Sequence, residues 1–122
     1  MKNKKVIEEM LIIWGNPKKD WMGYNISKKN YVSYHHINEK RNGGLETIEN
    51  GAILTRTSHL LLHRIELLNY DLYLEWQLLF LDINKSRKPL DDYFIGRIGH
   101  LKRETKEFYA SLNEQVKLTL TL

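Results

Sequence analysis

Histidine is the residue type best suited to chemistry in this 122-residue sequence, and four of its five histidines fall between His35 and His63. Imidazole titrates near neutral pH and binds borderline divalent metals such as zinc and nickel. His59 and His63 lie four residues apart. On a helix that spacing puts both rings on one face about a turn apart, where they can share one transition-metal ion. The same spacing also arises in helices whose histidines are ordinary packed residues. His35 and His36 are adjacent, and on a strand their side chains would alternate to opposite faces, so the dipeptide alone does not make a site. Cysteine is absent from the sequence, which excludes disulfide scaffolds, thiolate zinc sites and cysteine catalysis.

The elements that must position these rings follow from local pattern. Residues 31–37, Tyr-Val-Ser-Tyr-His-His-Ile, are rich in β-branched and aromatic types and predict a strand. Asn42-Gly43-Gly44 and Asn50-Gly51 are turn signals, and Ala52-Ile53-Leu54-Thr55 predicts a second short strand. Thr57 or Ser58 is the expected cap of a helix carrying Leu61, Leu62, Ile65 and Leu68. Upstream, residues 4–14 predict a helix through Val6, Met10, Ile13 and Trp14, ended by Gly15-Asn16-Pro17. Residues 18–29 read as a polar loop anchored by Trp21 and Tyr24. Downstream, a helix over about 71–85 places Leu72, Trp76, Leu79 and Ile83 on one stripe. After Pro89, Asp91 or Asp92 caps a long last helix with Ile98, Leu101, Phe108 and Leu112 in register and Thr105 in the gap. Two short strands cannot form a stable sheet alone, so the helices must cover them. Trp14, Trp21, Tyr24, Trp76 and Tyr93 are expected in the core, and His100 on the surface.

Composition bounds the rest. With 42% hydrophobic residues and no repeat or low-complexity tract, the chain has material for one modest core, a single domain over 1–122. The net charge is +4, and residues 1–41 carry nine Lys/Arg against four Asp/Glu. A basic front end suits a polyanionic partner, although the same charge also serves plain solubility. The longest apolar runs, such as Leu60-Leu61-Leu62, are far short of the ~20 residues a membrane span needs. The basic start from Met1 to Lys5 is followed by a run broken by Glu8 and Glu9, which does not read as a secretory signal; a cytoplasmic location is the expectation.

The order of these pieces carries more than any one of them. Tyr34-His35-His36-Ile37, Gly43-Gly44, Glu49-Asn50-Gly51-Ala52-Ile53-Leu54, His59 and His63 together resemble the HNH endonuclease family, in its three-histidine colicin-like branch. Fourteen positions separate His36 from Asn50 and nine separate Asn50 from His59, both comfortable for that pattern. The resemblance covers about residues 31–66. It implies an α+β fold with a ββα-metal hairpin-and-helix core, here flanked by an N-terminal helix and two C-terminal helices over about 71–118. It implies hydrolysis of DNA phosphodiester bonds with the help of one divalent metal ion: zinc, nickel, magnesium or manganese. By resemblance, His36 is the general base, Asn50 holds the loop between the strands, and His35, His59 and His63 are the metal ligands. Lys40, Arg41, Arg56 and Arg64, close to the motif, are candidate contacts to nucleic-acid phosphates. The flanking cysteine pairs of many relatives are missing, so packing must stabilise the core. The expected partner is DNA or RNA, and no membrane. The last helix leaves a homodimer open, and a protein partner is open too. The alternative is a non-catalytic module of this fold that binds nucleic acid or protein, such as an accessory or inhibitor from a phage or mobile element.

Overall fold

A sheet of only two strands exposes both faces and both edges, so its stability must come from what packs on it. The computed structural model describes residues 4–121, with side chains through Gln115; Met1–Asn3, the start of the basic N-terminal run, lie outside the described residues. The order is α1 (Lys4–Ile13), β1 (Val32–His36), β2 (Gly51–Thr55), α2 (Arg56–Leu68), α3 (Tyr70–Ser86) and α4 (Asp92–Thr121), a mixed α+β architecture. The strands are antiparallel, with Val32 opposite Thr55, His35 opposite Ala52 and His36 opposite Gly51. The long loop between them contains two short 3-10 turns, Lys40–Asn42 and Ile48–Asn50.

All five residues of β2 are buried, which requires cover on every side. Helices α1 and α2 each pack against both strands, α3 packs against β2 and α2, and α4 packs against α3. The largest buried side chains are Trp14, Trp21, Trp76 and Phe80. Trp14 and Trp21 meet edge to face at 5.2 Å. Rings of this size bury about 150–250 Å² each and dominate a core this small. Their polar ends are mostly satisfied: Trp14 Nε1 donates to the Ile83 carbonyl, and Trp76 Nε1 donates to Thr105 Oγ1 at 3.1 Å. Thr105 in turn donates to the Leu101 carbonyl one turn back. The threonine in the apolar stripe of α4 is therefore the acceptor that lets a tryptophan be buried. Ile98 and Leu101 on that stripe are buried within this chain, and Phe108 packs at the core margin.

Three local expectations need correcting. The cap of α2 is Thr55, not Thr57 or Ser58; its side chain accepts from the Ser58 amide. The reason is Asp20, in the loop that reads as polar from sequence, which accepts from both the Thr55 backbone N–H and its hydroxyl and so turns the hydroxyl oxygen to accept from Ser58. Tyr93 is 65% exposed, because Phe94 takes the inward position at the start of α4. Leu68 also faces outward rather than joining Leu62 and Ile65 in the core. Among the described residues, no helix is long and apolar enough to cross a membrane.

Candidate functional site

The hairpin loop and the α2 face build one cleft. Asn50 pins the loop that follows His36. Its side-chain oxygen accepts from the Asn38 amide at 2.7 Å, and its amide donates to the Asn38 and Leu45 carbonyls at 2.9 Å each. The Asn50 carbonyl also accepts from Ile37 N, extending the strand ladder by one rung. Two glycines are required by this closure. A Cβ at Gly44 would collide with the Asn38 carbonyl oxygen, and one at Gly51 would lie 2.6 Å from the Tyr34 ring and 2.8 Å from Met10 sulfur. Tyr34, opposite Ile53, reaches across the loop and donates to the Thr47 carbonyl at 2.7 Å.

The cleft has a volume of about 330 Å³ and is lined by His35, His36, His59 and His63 together with Lys40 and Arg41. His35 and His36 do alternate, as strand geometry demands. His36 stacks edge to face on Tyr34 at 4.8 Å, while His35 turns toward α2 and α3, 5.7 Å from the rings of both His59 and Phe80. Both nevertheless line the cleft. Arg56 and Arg64 are exposed on α2 and do not line it. His100 is on the surface, paired with Glu104 at 2.8 Å.

Two ring nitrogens in the cleft, His36 Nε2 and His59 Nε2, are buried with no hydrogen-bond partner. Glu46 is the nearest carboxylate to His36, at 3.8 Å, beyond hydrogen-bond reach. Buried polar atoms are rarely left unpaired. Trp21 Nε1 and Tyr109 Oη, outside the cleft, are unpaired as well, and what sets the cleft apart is that its two unpaired atoms are imidazole nitrogens among four histidines. Burial drives the His35 ring down to about 4, opposed by its contact with Gln77 and helped by the neighbouring His59, His36 and His63. His59 is lowered as well, first by burial and then by His63, against the pull of Asp20. Both rings are therefore neutral at pH 7, the form that binds metal.

The donor chemistry fits one divalent ion: four imidazoles line one cleft, the His35 and His59 rings are held neutral, and His59 has a partnerless nitrogen. Among the described residues, no three histidine or carboxylate side chains are gathered tightly enough to make a formed metal centre. Two carboxylates not expected from the sequence, Glu39 and Glu66, also line the cleft beside Lys40 and Arg41. Glu39 forms a close ion pair with Arg41, which also lies 3.6 Å from Glu66. Tyr73 donates to Glu39 at 2.9 Å. Burial would raise the Glu39 carboxyl, but its contacts with Tyr73, Glu66 and Arg41 outweigh that and hold it below its ordinary range. Glu66 follows His59 and His63 at helical spacing, so the period of α2 alone would have placed it on the cleft face. Gln77, 2.7 Å from His35 Nε2, comes from α3, and no local pattern announces it.

Comparison with protein-family models, curated proteins and solved structures finds no match to this chain.

Proposed function

We propose that this chain is a metal-dependent endonuclease of the HNH type that hydrolyses phosphodiester bonds in DNA. The observation that carries the reading is one cleft shared by His35, His36, His59 and His63, in which buried ring nitrogens of His36 and His59 have no partner. His35, His59 and His63 would hold the ion. When bound, a divalent ion there supplies Lewis-acid stabilisation of charge on phosphorus and on the departing oxygen. Three imidazoles favour zinc or nickel over magnesium on ligand softness.

His36 acts as the general base, its Nε2 taking a proton from the attacking water. Asn50 keeps it in place by fixing the backbone from Ile37 to Leu45. Lys40, exposed at the cleft, offers a cation to a substrate phosphate. Arg41, paired through Nε and one terminal nitrogen with Glu39 and Glu66, can do so with its remaining N–H donors. Arg56 and Arg64 stand outside the cleft, where they serve flanking phosphates.

That engaged arginine favours a second reading, a nucleic-acid- or protein-binding module that does not turn over. One assay separates the two. Supercoiled plasmid is incubated with the pure protein and nickel, zinc, manganese or magnesium, with an EDTA control. Metal-dependent nicking supports the nuclease. Binding without nicking under every metal supports the module and ends the catalytic assignment.

A further inference from the structure

The cleft depends on a residue from outside the hairpin and α2. Gln77, on α3, makes three polar contacts. Its amide nitrogen donates to the Ile37 carbonyl at 2.7 Å and to the Tyr73 hydroxyl at 3.1 Å, and its amide oxygen lies 2.7 Å from His35 Nε2. These contacts fix each other's polarity. A carbonyl oxygen can only accept, so the group facing Ile37 must be the NH₂. The Tyr73 hydroxyl spends its own proton on Glu39, at 2.9 Å, and is left to accept from Gln77. Turning the amide over would set two oxygens 2.7 Å apart with no proton between them. The Gln77 oxygen therefore faces His35, and since it too only accepts, His35 Nε2 must carry the hydrogen.

We infer that Gln77 is a positioning residue that holds His35 in its Nε2–H tautomer, leaving Nδ1 as the ring's electron-pair donor. Ligating histidines characteristically anchor one ring N–H on a protein acceptor, which sets the ring's orientation and raises its basicity. Gln77 fills that place for His35. The relay continues through Tyr73 to Glu39, so that carboxylate is connected to the ring through hydrogen bonds and not only by proximity. The assignment of Nδ1 as a ligand atom rests on the metal reading above. The tautomer itself does not.

Long-range ¹H–¹⁵N NMR of the metal-free protein at pH 7.5 reads the tautomer directly. The expected result is the Nε2–H pattern for His35; the Nδ1–H pattern would overturn the inference without any variant. Gln77→Leu should scramble the tautomer and weaken zinc binding, measured by competition with a chromophoric chelator, about 10–100-fold. Gln77→Glu keeps an acceptor for Nε2–H and should retain the parent tautomer, even though it loses the bond to Ile37. An unchanged His35 tautomer in Gln77→Leu also overturns the inference. If the parent binds neither zinc nor nickel but shows Nε2–H, the metal reading fails while the relay stands.

Discussion

Two polar regions are sequestered in this small domain, and they are finished to different degrees. Around Asp20, which is fully buried, no acceptor is idle. One carboxylate oxygen takes the amides of Met22 and Tyr24, and the other takes the Thr55 amide, the Thr55 hydroxyl and the Ser58 hydroxyl. The carboxylate ties the 18–29 loop to the end of β2 and the first turn of α2. The histidine cleft, built on the same strand pair and the same helix, leaves two buried ring nitrogens unpaired. Burying polar groups is costly in both places. At Asp20 the cost is met by hydrogen bonds within the chain. In the cleft two imidazole nitrogens are left without such a partner, and under the nuclease reading a bound ion and its substrate would supply one.

The contrast predicts opposite outcomes for mutation. His36→Ala removes a side chain that makes a ring contact with Tyr34 but whose Nε2 has no hydrogen-bond partner, so the fold should survive with a near-parent melting temperature. Plasmid nicking in the best metal should fall about 10²–10⁴-fold, the usual contribution of a positioned base. A variant that nicks as fast as the parent removes His36 from the role of base. Asp20→Asn should do the reverse. The side chain keeps its shape but turns an amide toward the three donors at Thr55 and Ser58. Leaving buried donors unpaired costs about 1–3 kcal/mol each, and a loss of roughly 3 kcal/mol is expected in urea unfolding. A loss below about 1 kcal/mol would mean that the loop is not held by this carboxylate.

The same contrast explains what could be read in advance. The strands, their order and the helices were legible because each is written locally, in β-branched runs, glycine turns and apolar stripes. The pairing of His59 with His63 followed from helical period, and the clamp made by Asn50 reaches only 12 residues back to Asn38. Asp20's tie to the strand and helix is not legible because Thr55 and Ser58, which give three of its five hydrogen bonds, lie 35 and 38 residues away. The usable signal was a carboxylate directly before Trp21 and Met22, two large side chains with no exposed surface. Gln77 was missed for the same reason, at a separation of 42 residues from His35. Tyr93 and Phe94 show a different limit: aromatic type does not say which of two neighbours turns inward, and here it is Phe94.

The third test asks whether the cleft resists charge, using pH. His35 has a folded value of about 4 against an ordinary 6.5. Between those values the unfolded chain binds a proton that the folded chain refuses, so the proton favours unfolding. Stability from this ring is then complete above pH 6.5, falls as pH drops from 6.5 to 4, and changes no further below 4. At 1.36 kcal/mol per pH unit the loss from His35 is at most about 3 kcal/mol. His59, lowered by burial as well, adds in the same direction. Urea midpoints measured without metal at pH 7.5, 6.5, 5.5 and 4.5 should fall in the parent and fall less in His35→Gln, whose side chain has no proton to gain. Equal slopes in the two proteins would mean that water already solvates the charged ring, and the cleft would then be no more demanding of an occupant than the surface around it.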